Sequence, residues 1–272
     1  MLRILDYIKK NQSPFFRIGL LLTLVITCAV LISLFYMPYS PTAMDRASRS
    51  LGISLRHPMG TDNFGRDIFC RVLYGTRVTL LIALGTVAIG TTAGILIGAL
   101  CGYFGGLLDE IVMRINDALF AFPSILLALV FVSLMGTGNL QLVLSLGIAF
   151  IPSFSRIVRG EFLRARSMDY VLNARLQGAS HLRIMFVHIL PNIRGVLLSS
   201  VMIGFNNAVL AEAGLSFLGI GTQPPFDSLG QMLSDARINI MSEPRYMLGP
   251  GIVLILLVLG FSLLGEGLRT KT

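Results

Sequence analysis

Three polar side chains interrupt a long apolar stretch and are the first candidates for a chemical role. Asn206, Asn207 and Glu212 lie within, or directly after, the apolar run 195–211. An ionisable group in such a run is costly unless it is paired or hydrated, so Glu212 is either a pathway or gate residue or an interfacial carboxylate that ends a helix. The two amides either line a solute route or form hydrogen bonds between helices.

The usual arrangements of catalytic and metal-binding residues are absent from the sequence. It contains no G-x-x-x-x-G-K-[ST] phosphate loop, and its three cysteines and three histidines do not occur at metal-ligand spacings. Paired aspartates, or a serine with a base, are also missing from the apolar runs. We therefore expect no catalytic residue, no metal site and no bound cofactor in this chain.

The composition is typical of an integral membrane protein. Of the 272 residues 54% are hydrophobic and 13% are charged, and the mean hydropathy is +0.77. Backbone amides inside a bilayer must be satisfied within the segment, and no alternating barrel pattern occurs, so we predict an all-α fold with about six transmembrane helices. The apolar runs that approach spanning length are 18–37, 78–101, 118–136, 140–154, 195–211 and 247–264.

The excess of positive charge fits a membrane protein better than a nucleic-acid-binding protein. Lysine and arginine number 22 against 14 acidic residues, a net charge of +8. These basic residues lie mainly at the ends of the apolar runs, and no basic face interleaved with aromatic residues is present. We therefore expect the lipid bilayer as a partner and no nucleic acid.

Basic residues near both chain ends predict that both termini are cytoplasmic. The first loop then becomes extracytoplasmic although it carries six arginines, so we expect these to pair locally or to lie on an interfacial helix at 66–74. The resulting divisions are a cytoplasmic tail and first helix at 1–40, an extracytoplasmic loop at 41–77, a five-helix core at 78–265 with a cytoplasmic loop at 155–194, and a cytoplasmic tail at 266–272.

Four glycines recur at every fourth position of the second apolar run. Gly90, Gly94, Gly98 and Gly102 therefore share one helix face and allow another helix to approach closely. This spacing favours helix packing, and a hinge or a pore-lining stripe is the alternative.

The loop 155–194 contains the pattern of two short helices. Asp169 is a predicted N-cap, Gly178 a predicted stop, Ser180 a second N-cap, and Pro191 marks the turn into the fifth membrane helix. Ala174 and Gly178 share one face of the first short helix. A helix with a small-residue face fits a groove on another protein, and nearby arginines can bind carboxylates at its rim.

This loop resembles the E-A-A loop of permease subunits in bacterial ATP-binding-cassette (ABC) importers, which docks into the ATPase subunit. Leu172 stands at the usual glutamate position and Asn173 at the first alanine position. This departure from the family pattern removes the carboxylate of one expected polar contact to the ATPase and leaves the expected docking geometry unchanged. The residues that the resemblance places in the docking loop are Asp169, Tyr170, Ala174, Arg175, Gly178, Ala179, Ser180, His188, Pro191 and Asn192.

Further blocks resemble the dipeptide, oligopeptide and nickel permease family, from about His57 to the C-terminus. They are 59–67, 74–77, 102–106, 121–123 and 212–219. The resemblance implies the type I ABC importer permease fold in a bacterial inner membrane. It also implies a second homologous permease, two ATPase subunits that bind ATP and Mg²⁺, and an extracytoplasmic substrate-binding protein.

A self-sufficient ion-coupled secondary transporter is the alternative. Such a protein ordinarily carries membrane-embedded acidic residues and interrupted helices arranged as internal repeats, and the sequence shows no clear repeat. The cargo stays open at this point, since the related permeases handle dipeptides, longer peptides, nickel and metal chelates.

Overall fold

The computed structural model describes residues 14–269, which form helices and no β-strand. Single helices are α1 (Pro14–Phe35), α2 (Ile68–Phe104), α3 (Gly106–Phe120), α4 (Ser124–Met135), α5 (Asn139–Ala165), α6 (Asp169–Leu176), α8 (Arg194–Phe217), α9 (Leu229–Arg237) and α10 (Arg245–Arg269). The helical stretch α7 joins His181–Arg183, the π-helical turn Ile184–Ile189 and Leu190–Asn192. The predicted all-α fold is confirmed.

Five helices are long and apolar enough to cross a membrane, namely α1, α2, α5, α8 and α10. The pair α3 and α4 makes a sixth span if it is counted as one element bent by 92°. The sequence predicted one continuous helix at 118–136, and the structure breaks it at Pro123, which has no N–H to donate. The count of about six spans is confirmed, with the third span broken.

Helix α2 runs the full height of the molecule. Its 37 residues extend about 55 Å at 1.5 Å per residue. The Asp67 carboxylate caps its start by accepting a 2.7 Å hydrogen bond from the Cys70 N–H. We call the end where α2 begins, with residues 36–67 and 218–244, the cap end; the end where α2 finishes, with the docking loop at 166–193, is the docking end.

Two predicted boundaries are corrected by these helices. Residues 66–74 do not form a separate interfacial helix, because α2 begins at Ile68 and continues without a break. The predicted loop at 155–194 is shorter, because α5 continues to Ala165. In both places polar residues interrupt the apolar pattern. Asp67 and Arg71 at the first place are buried by the protein, whereas Arg156 and Arg164 at the second are exposed.

The predicted glycine face of α2 lies against α5. A Cβ atom at Gly98 would lie 2.5 Å from the Ser155 carbonyl oxygen, and one at Gly102 would lie 2.6 Å from the Arg159 carbonyl oxygen. Gly90 and Gly94 contact α5 in the same way, near its phenylalanines. Glycine therefore lets the two backbones meet directly, and this pair of helices forms the centre of the apolar core.

Candidate functional site

The docking loop is built from two helical pieces joined by a tight turn. Gly178 has a φ of 79°, in the left-handed region, and the Ala179 N–H donates a 3.0 Å hydrogen bond to the Ala174 carbonyl. Together these two features terminate α6. The Ser180 hydroxyl then caps α7 by accepting from the Arg183 N–H. Asp169 differs from its prediction: Met168 occupies the N-cap position, and Asp169 lies in the first turn of α6.

One face of the docking loop packs on the membrane helices. Val171 and Ala174 are buried in a cluster with Val158 and Phe162 of α5. The Tyr103 hydroxyl, at the end of α2, lies 2.9 Å from His181 Nδ1. The docking loop is therefore in direct contact with α2 and α5.

The opposite face of α6 is exposed and carries two leucines beside the polar residues Asp169 and Asn173. Leu176 is 86% exposed and Leu172, one turn earlier, is 42% exposed. The prediction that Ala174 and Gly178 share one exposed face is wrong. Ala174 faces the core, while Gly178 faces open space. The surface available to a partner is thus the ridge of Leu172 and Leu176 that ends at Gly178.

The remaining predicted docking residues lie in α6, in the turn after it and in α7. The Arg175 guanidinium lies 5.9 Å from the centre of the Tyr103 ring. The Asn192 amide donates a 2.9 Å hydrogen bond to the His188 carbonyl. Tyr170 and Ala179 are half-buried, and Pro191 is exposed within the short helix that precedes α8.

The two asparagines of α8 border two hollows in the membrane region. Asn207 lines a cavity of about 280 Å³ between α8, α5 and the break at Pro123, with Phe150 and Pro152 on its wall. Asn206 and Asn207 both line a second hollow of about 150 Å³ against α10. Among the described residues the Asn206 Oδ1 atom has no hydrogen-bond partner. Asn207 therefore stands where the two hollows meet.

Glu212 lies in neither hollow. It is fully buried, accepts a 2.8 Å hydrogen bond from the Thr79 hydroxyl and a 2.7 Å hydrogen bond from the Ser216 hydroxyl, and α8 continues past it to Phe217. The interfacial interpretation of Glu212 is therefore wrong. A buried carboxylate with hydroxyl donors on two helices is a structural junction between α2 and α8.

Comparisons with known proteins decide what this architecture is. Residues 94–270 match the family model of the binding-protein-dependent transport system inner membrane component. The chain belongs to this family. As a family member it is a permease subunit of an ABC importer, a transport component of the inner membrane rather than a catalytic subunit.

Relatives of this permease cover most of its length. It is 36% identical over 269 residues to a dipeptide transport system permease protein of Haemophilus influenzae, covering 97% of this chain and 90% of the relative. It is 40% identical to a glutathione transport system permease protein of Pectobacterium atrosepticum (92% and 83% covered) and 34% identical to a nickel transport system permease protein of Escherichia coli (93% and 91% covered).

The fold of the permease also matches solved structures. An inward-facing conformation of the MetNI methionine ABC transporter aligns with a TM-score of 0.60 and 20% identity, covering 73% of this chain and 94% of that one. The predicted type I ABC importer permease fold is confirmed. Family membership also excludes the alternative of a self-sufficient ion-coupled transporter.

A buried charge cluster at the cap end was not predicted from the sequence. Arg71 is only 4% exposed and binds three carboxylates, those of Asp62 (2.7 Å), Asp227 (2.9 Å) and Asp235 (3.1 Å). Arg66 shares Asp62 with it at 2.7 Å. Of the six arginines at 41–77, Arg66 and Arg71 thus pair partly within the loop and partly with a segment more than 150 positions away in the chain, while Arg46, Arg49 and Arg56 are exposed.

Proposed function

We propose that this permease forms half of an ATP-driven import path for peptides or a related small solute, such as nickel or a metal chelate. Its partners are a second homologous permease, two ATPase subunits that bind ATP and Mg²⁺, and an extracytoplasmic binding protein. The names of relatives that share 34–40% of its residues over more than nine-tenths of its length support this cargo range.

The proposed orientation places the docking end in the cytoplasm and the cap end outside. Arg164, Arg175, Arg183 and Arg194 are exposed at the docking end, as the positive-inside rule expects of a cytoplasmic side. Arg46, Arg49 and Arg56 are also exposed at the cap end, where Arg66 and Arg71 are neutralised by aspartates, so the proposed orientation rests chiefly on the docking role of the loop at 166–193. An even number of spans then keeps both chain ends in the cytoplasm. The terminal residues on which the sequence argument drew, Arg3, Lys9, Lys10 and Lys271, lie outside the described residues.

The observation that carries the proposed function is the two-sided docking loop. Its inner face is packed on α2 and α5, while Leu172 and Leu176 on its outer face are exposed. A short helix with one apolar ridge is a common element for insertion into a groove on a partner protein. Closure of the ATPase subunits would pull α6, and through Tyr103 and His181 it would move α2.

The hollows beside Asn207 are the proposed solute path. Their walls combine phenylalanine rings with amide and hydroxyl groups, and the smaller hollow adds the carboxylate of Glu266, which suits a solute that carries apolar groups together with amide or cationic groups. The break at Pro123 and the proline in α5 lie on the wall of the larger cavity, where backbone movement would change its size. Asn206 and Asn207 are therefore the proposed pathway residues.

Replacement of Gly178 tests the docking role. Gly178→Trp places a large side chain on the exposed turn, where no heavy atom lies within 4 Å, so the membrane domain should still fold. We expect ATP hydrolysis by the assembled complex to continue while uptake of labelled dipeptide falls at least about tenfold, the change that about 1.4 kcal/mol of lost coupling produces.

Gly178→Ala is the matched control, because it brings the same backbone strain at the positive φ of position 178 as tryptophan does and stays small. It should retain most uptake. Normal ATP-coupled uptake by Gly178→Trp, with the ATPase subunits still bound, would refute the docking role of the loop.

A further inference from the structure

The loop between α1 and α2 folds into a hairpin, and we call the turn at residues 52–58 the tip. The Thr61 N–H donates a 3.1 Å hydrogen bond to the Leu51 carbonyl, which pairs the two arms of the hairpin just before the turn. The Ser54 N–H donates to the His57 carbonyl at 3.0 Å, and the His57 N–H donates to the Ser54 hydroxyl at 3.1 Å. The tip is therefore closed by its own hydrogen bonds.

The side chains of the tip are apolar at its apex and basic beside it. Leu55 is fully exposed, and Ile53 is 74% exposed. Arg49 precedes them and Arg56 follows them; both are exposed, and neither forms an ion pair among residues 14–269. Exposed aliphatic side chains between two cations are typical of a segment that binds a lipid surface, where hydrocarbon accepts the aliphatic groups and headgroup phosphates accept the cations.

The carboxylates near the tip are bound by other groups and do not neutralise these arginines. Glu243 pairs with Arg245 at 2.8 Å. Asp67 lies 2.8 Å from His57 Nδ1 and caps the start of α2. Asp45 accepts hydrogen bonds from its own turn. The positive charge at the tip is therefore left for an acidic partner outside this chain.

The tip lies beside the outer ends of two helices that face lipid. The ring centroids of His57 and Tyr39 are 4.8 Å apart, and Tyr39 closely follows the end of α1. A Cβ atom at Gly52 would lie 3.6 Å from the guanidinium of Arg245, the first residue of α10. Only 22% of the apolar stretch of each of these helices is buried. Leu55 is two residues from His57, at most about 7 Å along the chain, so it lies near the level where the two spans leave the bilayer.

Tyrosines identify this level as a membrane interface. Tyr36 and Tyr39, directly after α1, are 68% and 39% exposed, and tyrosine is enriched where a span meets the lipid headgroups. The Tyr246 hydroxyl, in the first turn of α10, lies 2.8 Å from the Ser50 hydroxyl. The arm of the hairpin that leads into the tip is therefore attached to α10 at the same level.

A binding protein is the other candidate partner at the cap end. The hollows of the proposed solute path are lined by α3, α5, α8 and α10, whereas α1 packs mainly on α10 and lies at the edge of the fold. The tip lies beside α1, and a protein that delivers solute has to cover the mouth of the path instead. The lipid surface is therefore the better match for the tip.

We propose that the tip anchors the cap end to anionic phospholipid. Ile53 and Leu55 insert into the bilayer surface, and Arg49 and Arg56 bind headgroup phosphates. In the proposed orientation these lipids belong to the outer leaflet. Because the hairpin continues directly into α2, the anchor sets the height of that span in the bilayer.

The chain contains no tryptophan, so one introduced indole reports on the tip alone. The test uses full-length Leu55→Trp permease in lipid nanodiscs of phosphatidylcholine, with or without phosphatidylglycerol. Since Leu55 is fully exposed, the substitution leaves the packing intact. We expect blue-shifted emission that lipids with brominated acyl chains quench. Phosphatidylglycerol should raise the ratio of inserted to withdrawn tips about fivefold per arginine, the factor that about 1 kcal/mol gives.

Leu176→Trp is the matched control, because Leu176 is an 86% exposed leucine at the docking end, away from the tip. Its emission should stay red-shifted and unquenched in both lipid mixtures. In the Leu55→Trp background, Arg49→Gln combined with Arg56→Gln should abolish the response to phosphatidylglycerol. High salt should weaken the same response, because it screens exposed charges.

Three outcomes would overturn the anchor. The first is equally weak quenching of Leu55→Trp and Leu176→Trp. The second is quenching of Leu55→Trp that is the same with and without phosphatidylglycerol, which would remove the role of the two arginines. The third is an indole that stays accessible to iodide in lipid and becomes protected only when the binding protein is added, which would assign the tip to that protein. None of these measurements involves ATP or uptake, so they stand or fail separately from the proposed function.

Discussion

The two ends of α2 are stabilised in different ways. At the cap end, Arg71 and Glu212 are buried and their polar atoms are bound by groups of the same chain. At the docking end, apolar packing holds the loop while Leu176 and neighbouring arginines remain exposed. Charges that the chain neutralises itself have an internal structural role, whereas charges and apolar residues left exposed together indicate a surface for a partner. The cap end has such a surface as well, where Arg56 is exposed beside Ile53 and Leu55, so the difference between the ends lies in the buried ion pairs.

The largest expected effect is a loss of stability caused by a substitution at the cap end. Arg71→Met removes the cation shared by Asp62, Asp227 and Asp235, two of which are buried. Loss of one partner of a buried ion pair costs about 3–5 kcal/mol, so we expect a marked fall in the amount of folded permease and in its unfolding temperature in detergent.

Arg66→Met is the comparison variant for this prediction. It removes a more exposed arginine that contacts Asp62 and Asp235 and leaves the pair of Arg71 with Asp227 in place. Its destabilisation should be clearly smaller. Equal stability of the two variants would show that burial of Arg71 does not determine the strength of the cluster.

A smaller effect is expected in the middle of α2, between the two ends. Gly98→Ala places a methyl group 2.5 Å from a carbonyl oxygen of α5, and the resulting overpacking should cost about 1–3 kcal/mol. At Gly90 the nearest contact is a side-chain atom at 3.1 Å, and the better helix propensity of alanine, worth about 1 kcal/mol, offsets it.

Thermal unfolding of the purified permease measures both glycine variants. Gly90→Ala should be close to wild type, and Gly98→Ala should unfold at a lower temperature. The reverse order would mean that α2 and α5 are further apart than the structure places them.

The smallest effect on stability is expected at the docking end. Leu172→Glu restores the acidic residue that is usual in the E-A-A loop, at a side chain that is 42% exposed. Such a surface change should alter the free energy of unfolding by no more than about 0.5 kcal/mol. The change should appear instead in the affinity for the ATPase subunit, measured by co-purification at increasing salt.

Leu172→Gln separates charge from polarity in that experiment. If a carboxylate contact is formed, the glutamate variant binds more tightly than the glutamine variant at low salt, and the difference disappears at high salt. Identical binding of both variants at all salt concentrations would show that position 172 does not contact a basic group on the ATPase.

Local patterns predicted much of this permease. Uninterrupted apolar runs placed the spans because backbone amides in lipid must pair within a helix, and the four-residue glycine period identified the face of α2 that meets α5. The turn at Gly178 and the cap at Ser180 were also predictable, since both depend on residues within a few positions. Helix ends were less accurate, because buried polar residues such as Arg71 interrupt the apolar pattern.

The sequence alone therefore determined that this is an all-α membrane protein with its approximate spans, which follow from hydropathy, whereas the permease family and the docking loop came from the resemblance of its motifs. Only the tertiary structure decided that Ala174 faces inward, that Glu212 joins two helices, and that Arg71 binds Asp227 across the fold. Those facts depend on which side of a helix meets another element. The pairing of charges far apart in the chain is set by packing, and no local pattern encodes it.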